Sequence, residues 1–366
     1  MPTHNFDLHL AGALAAVSVQ VLDSPAGQTP ASLTLPCAAG LAGLDELAAG
    51  RALQNLGRAL WRCAFGAPAI AELWRASVAR SDTLRLRLVI DSPELASLPW
   101  ELLYDATLGR FLALDGRTPV TRFTRLPLPA LPWPQDRPLR LLFTGASPAT
   151  MPRLDTAAEW AGMERALAPL IAAGRIEAQA IAQGATLADL LAALRRGVDL
   201  WHFAGHGTAE GIIFTGARGQ KLLVEAETLG QLLAGEGVRL AVLNACRAGA
   251  GGGEAASVAG ALLRADVPAV VAMQADLSDA TADAFAGVFY DAIAVGQGVD
   301  PAVTAARKAI LAAGTGEWWI PALFMRTPEG KIWQEPEQAA GTNVTVRGDR
   351  NVVITGRVGG NVTVNQ

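Results

Sequence analysis

Two stretches of this chain end in side chains able to do chemistry. "DLWHFAGHG" (199–207) reads as an apolar strand that breaks at His206 between Gly205 and Gly207, and "RLAVLNAC" (239–246) reads as a second strand ending at Cys246. "RAGAGGGEAASV" then runs from the cysteine into a helix. A thiol near a helix N-terminus lies in a field that favours thiolate, and a neighbouring histidine favours it further. Glycine beside the histidine lets a backbone N–H approach a substrate closely. The amides of Gly207 and Cys246 can then form an oxyanion hole for acyl transfer.

The same residues admit other readings. A single cysteine at a strand end is commonly a small buried hydrophobe. His202 lies inside the first strand, where it packs or hydrogen-bonds. His202 and His206 have H-x-x-x-H spacing, but that spacing suits zinc on a helix, and here the surroundings are strand and glycine turn. The glycine loop after Cys246 resembles a dinucleotide turn until Glu254 replaces the third glycine of G-x-G-x-x-G and opposes a pyrophosphate. No G-x-x-x-x-G-K-[ST] or G-x-S-x-G occurs in the chain. Neither metal nor cofactor is expected.

The elements that must carry these groups follow from the pattern around them. After a connector with five prolines in "LPLPALPWPQDRP" (126–138), strands and helices alternate. The strands are "LRLLFTG", "IEAQAIA", "DLWHFAG", "RLAVLNAC" and "PAVVAMQ", with helices between them and a hairpin at "GIIFTGARGQKLLV". Such alternation predicts an α/β fold, a mostly parallel sheet with helices on both faces and sites at the carboxyl ends of strands. Ahead of the connector, "LRLRLVI", "RFLALD" and "PVTRF" read as strands. At the start, "FDLHL" and "VSVQVL" alternate as a strand pair, and "GLDELAAGRALQNLGRALWRCAF" has helical spacing.

Composition limits the function classes. The 366 residues are 51% hydrophobic and 17% charged with a net charge of -4, which suffices for a full core and offers no basic footprint for nucleic acid. No apolar run reaches the roughly 18 residues of a membrane span. The N-terminus lacks the basic region of a signal peptide. Cys37, Cys63 and Cys246 are too few and too scattered for a disulfide framework, so a reducing, cytoplasmic setting is expected.

Six blocks in order, "LPWELLYD", "FLALD", "TPVTRF", "LWHFAGHG", "LAVLNACRAG" and "PAVVAMQADLSDATADAFAGVFYDAIAVG", resemble the CHAT domain, a family of bacterial caspase-like cysteine peptidases related to separase and the caspases. The resemblance implies a caspase-hemoglobinase fold and cleavage of a protein substrate by a His206/Cys246 dyad, with the Gly207 and Cys246 amides as oxyanion hole. Family members serve as effectors of bacterial defence or regulated cell death. Members often carry serine two residues after the cysteine, where this chain has Ala248. In related peptidases the segment after the next strand lines the S1 pocket. That maps to "MQADLSD", making Asp276 and Asp279 candidates to pair with a basic P1 side chain, with capping of the following helix as the competing role for Asp279.

Three regions result: an α+β N-terminal extension over 1–81, the peptidase domain over 82–332 with its connector, and a linker and repetitive β tail over 333–366. In the tail, "NVTV", "NVVI" and "NVTV" recur at Asn343, Asn351 and Asn361 between glycines. Each repeat buries too few side chains to offset its ordering entropy, so residues 343–366 are expected to order by stacking on other copies or a partner. The tail resembles β tails of bacterial defence proteins, some of them amyloid-like. A second function class follows: a catalytically silent assembly or signalling module that binds through its tail. A nucleotide-dependent enzyme is a third.

Overall fold

The computed structural model describes residues 3–37, 50–128, 130, 132–134, 137–208, 210–245 and 258–334. The expected strand pair forms first. β1 (Thr3–Ala13) buries Phe6, Leu8 and Leu10, and β2 (Ala16–Asp23) pairs antiparallel with it so that Val21 and Val19 face Leu8 and Leu10. β3 (Leu33–Leu35) pairs with β2. The helices α1 (Arg51–Phe65) and α2 (Pro68–Ala79) bring Phe65 and Trp74 onto Phe6, with ring centroids 6.1 and 5.1 Å away. Pro68 opens α2, where its missing N–H leaves no bond unmade.

The cysteines depart from expectation. Cys37 and Cys63 are joined in a disulfide across 26 residues of sequence, their Cα atoms 4.7 Å apart. The chain leaves β3 and returns through α1, which brings the two residues together, so distance along the sequence was the wrong guide. Cysteine content therefore carries no argument for a reducing compartment.

β4 (Thr83–Ile90) lies parallel to β1 and continues the same sheet. After α3 (Pro93–Ala96), the strands β5 (Tyr104–Asp105) and β6 (Arg110–Phe111) form a small separate hairpin. "RFLALD", expected as strand, yields only β6 before a 3-10 turn over Leu112–Leu114. Consecutive Leu112 and Ala113 are both buried, which the two-residue alternation of a one-sided strand does not deliver. β7 (Val120–Phe123) adds parallel to β4. Within the proline-rich connector, β8 (Trp133–Pro134) pairs with β17 (Trp333–Gln334), so the connector also anchors the end of the described chain.

From there the alternation runs through β9 (Leu139–Gly145), α4 (Thr156–Ala172), β10 (Ile176–Ile181), α5 (Leu187–Leu194) and β11 (Leu200–Gly207). The hairpin β12 (Gly211–Thr215) and β13 (Lys221–Glu225) leads to α6 (Ala226–Leu233), β14 (Leu240–Ala245), α7 (Val258–Arg264), β15 (Ala269–Met273) and α8 (Asp279–Ala294). Two further elements were not among those expected, α9 (Val299–Ala313) and β16 (Pro321–Met325). The main sheet runs β10-β9-β11-β14-β15-β16-β7-β4-β1-β2-β3, mostly parallel. β16, antiparallel to β15 and parallel to β7, joins its two halves.

Helices cover both faces of the sheet, as the alternation predicted. On β11, Leu200 and Ala204 join the core formed with α4, α8 and α9, while Trp201 and Phe203 join the core formed with α5, α6 and α7. β14 alternates in register, with Leu240 and Val242 on the first side and Ala241 and Leu243 on the second. No helix among the described residues is long and apolar enough to cross a membrane. The tail from 335 to 366 lies outside the described residues.

Candidate active site

β11 and β14 are hydrogen-bonded parallel neighbours that end together, Gly205 opposite Ala245. His206 stands one residue beyond that pair. Cys246 follows Ala245 in the chain but lies outside the described residues, as do Ala248 and the glycine loop. Gly205 has to be glycine: a Cβ there would come within 2.7 Å of the Phe203 ring and 3.0 Å of the Ala146 carbonyl oxygen. His206 and Gly207 then turn outward into the pairing with β12, opposite Ile213 and Ile212.

The half-buried His206 ring is oriented by one hydrogen bond. Its Nε2 donates to the Pro152 carbonyl at 2.8 Å, because a carbonyl can only accept. Nδ1 is thereby the nitrogen left to take a proton. The ring lines an open cavity of about 460 Å³ at the carboxyl end of the sheet, which Asp155, Glu159, Asn244, Asp276 and Leu277 also line.

Behind this cavity is a polar network that sequence reasoning missed. Glu159, in the first turn of α4, accepts at Oε1 from Asn244 Nδ2 at 2.8 Å and from His202 Nε2 at 3.3 Å. The other His202 nitrogen, Nδ1, lies 2.8 Å from the Tyr290 hydroxyl of α8. Burial, and then the Glu159 charge, push the Tyr290 phenol well above its ordinary range, so it remains an O–H donor. With Nε2 donating to Glu159 and Nδ1 accepting from the Tyr290 hydroxyl, His202 satisfies both partners. The one signal available beforehand was the placement of Asn244 two residues before Cys246.

His202 is thus a buried structural residue. His202→Ala should lower unfolding free energy by about 1–3 kcal/mol, the cost of leaving a buried polar partner unpaired. Chemical denaturation checks this, and Tyr290→Phe should show a smaller loss of the same sign.

The segment after β15 also lines the cavity, through Ala275, Asp276 and Leu277. Its first residue, Gln274, is held by a buried charge cluster: Arg122 Nη2 donates to Gln274 Oε1 at 2.7 Å, and Gln274 Nε2 donates to Glu101 Oε2 at 2.8 Å. Glu101 and Arg122 are themselves paired at 2.8 Å and fully buried. Burial alone would raise the Glu101 carboxyl, but Arg122, by charge and hydrogen bond, and then Arg307 outweigh it and hold the group below the ordinary carboxylate range. Glu101 belongs to "LPWELLYD", so this motif reaches the cavity wall through Arg122 and Gln274.

Asp276 is exposed at the rim of the cavity. Asp279 is the first residue of α8, and its side chain lies outside the described residues. The capping position anticipated for Asp279 belongs instead to Ser278, whose amide and hydroxyl both donate to Glu317 Oε2, at 3.0 and 2.8 Å. The helix begins one residue earlier than the spacing suggested.

A family model described as the CHAT domain matches residues 54–328. Among solved structures, the chain is similar to gingipain R, an Arg-specific cysteine proteinase, at 13% identity and TM-score 0.46, covering 78% of this chain and 68% of that one. It is similar to the complex of Porphyromonas gingivalis RgpB pro- and mature domains at 12% identity and TM-score 0.47, covering 78% and 70%. A Saccharomyces cerevisiae separase–securin complex gives 15% identity and TM-score 0.41 over 66% of this chain and 15% of that one. No curated protein matches the sequence.

Proposed function

The chain belongs to the CHAT domain family, and from that premise we propose that it is a caspase-like cysteine endopeptidase that cleaves a protein partner as an effector of bacterial defence or regulated cell death. His206 and Cys246 form the dyad. The observation that carries this reading is the shared end of β11 and β14: His206 lies one residue past the Gly205–Ala245 pair, on the wall of an open cavity, and Cys246 is the next residue after Ala245.

In the proposed reaction, the Cys246 thiol gives its proton to His206 Nδ1 and the sulfur attacks the scissile carbonyl. The Gly207 and Cys246 amides stabilise the oxyanion. The proton on His206 passes to the leaving amine as the C–N bond breaks. Water, deprotonated by the same imidazole, then releases the acid from the thioester and restores the thiol. Asp276 and Asp279, from the segment expected to form S1, are candidates to pair with a basic P1 side chain. The test is mass spectrometry of candidate proteins, especially those encoded beside this gene, incubated with wild type and with Cys246→Ala. New termini should appear only with wild type, and their absence across a broad set would reject the peptidase.

The repeats of the tail favour a second role for residues 343–366, that of assembling the protein or recruiting a partner and so raising its local concentration. Light scattering should give a larger mass for the full chain than for a variant ending at Ala340. Equal monomeric masses at all concentrations, with or without candidate partners, would reject assembly.

A further inference from the structure

We infer that Glu159 is the residue that selects the substrate side chain entering the cavity, and that this side chain is cationic, arginine or lysine. The inference rests on the peptidase reading above and assigns to its specificity pocket a residue remote from the segment expected to form it.

Among the described residues three carboxylates line the cavity, Asp155, Glu159 and Asp276, and no lysine or arginine does so. They are not equivalent. Asp155 and Asp276 are exposed at the rim, and Asp155 already accepts the Ala158 amide at 3.0 Å as the cap of α4. Charges in that position are screened by water and salt. The Glu159 side chain is only 17% exposed. A charge so sheltered interacts more strongly with an arriving cation than a rim charge does.

Its two oxygens divide the work. Oε1 takes both anchoring hydrogen bonds, from Asn244 and His202, while Oε2 makes none among the described residues. Asn244 is a neutral amide donor, so its anchoring bond leaves the negative charge of Glu159 available to a ligand. Asn244 belongs to the strand that ends at the residue before Cys246. The same side chain therefore sets the position of the selecting carboxylate relative to the strand that delivers the nucleophile. A guanidinium or ammonium group meeting Oε2 would form a charge-assisted hydrogen bond in a partly dry site.

Glu159→Gln tests this cleanly, because glutamine keeps an oxygen to accept from Asn244 and His202 and loses only the charge. Two measurements on the full chain are needed. In a fluorogenic peptide library, wild type should cut after Arg or Lys, and Glu159→Gln should lower the ratio of Arg to Leu cleavage about 10- to 100-fold. In a thermal-shift titration of the Cys246→Ser protein, benzamidine, an arginine side-chain mimic, should bind, and adding Glu159→Gln should weaken it about tenfold or more. Wild type that cuts after Leu in preference to Arg, or benzamidine binding that ignores Glu159→Gln, overturns the inference and leaves the peptidase standing. Benzamidine binding that depends on Glu159 in a protein that cleaves no peptide supports the pocket assignment and rejects the peptidase.

Discussion

Cys246→Ala and His206→Ala should each lower cleavage of a peptide or protein substrate by at least about a thousandfold, since a covalent nucleophile and its base act as a unit and losing either removes most of the effect. The His206 variant should fold normally. Its ring is half-buried at a strand end and, among the described residues, makes one hydrogen bond, to the Pro152 carbonyl, so no buried group among them is left unpaired when it goes. For Cys246→Ala the circular dichroism spectrum and unfolding midpoint are the matching control. The effect should be separable from that of His202→Ala, which disturbs stability through Tyr290 and Glu159. A folded, inert His202 variant beside an active His206 variant would show that His206 is not the base.

Glu101→Ala should unfold the protein more readily by about 3–5 kcal/mol, the range for breaking a buried ion pair on one side. Arg122 and Arg307 are both fully buried, and Glu101 is the carboxylate that meets their charge. Arg307 is already pushed down to about 10 by burial, with Glu101 acting against that shift. Removing the carboxylate leaves two guanidinium groups in the core without it. The difference between wild type and variant also has a predicted pH dependence. The folded-state pKa of Glu101 lies below its ordinary value of 4.5, so its stabilisation is fully present above that value and is lost as pH falls through the depressed one. Denaturant midpoints measured from neutral to strongly acidic pH should therefore converge only at the acid end. Because Gln274 accepts from Arg122 and donates to Glu101, weaker substrate binding should accompany the loss of stability.

Local signals explain what was legible beforehand. Strands such as "LRLLFTG" and "DLWHFAG" are bounded by glycine and separated by helical spacing, so their type and order could be read from neighbours in the chain. Short or paired elements could not. β16 is five residues of "PALFM", apolar throughout, and takes its strand form from lying between β15 and β7. β8 and β17 are two residues each and exist only through one another, 200 residues apart. The site divides in the same way. His206 stands out because glycines flank it, whereas Glu159 looks like any glutamate of an exposed helix until Asn244, 85 residues later, closes on it. The Cys37–Cys63 pairing was misread for the same reason, since the fold rather than spacing decides which residues meet.

That pairing has a practical use in counting competent molecules. Of the chain's three cysteines, two are joined to each other and buried, which leaves Cys246 as the remaining thiol. A thiol-directed dye added before any reductant can therefore report at most one equivalent per chain, and with Cys246 as the proposed nucleophile the measured fraction would give the share of a preparation able to turn over. Specific activity can then be expressed per functioning molecule instead of per milligram.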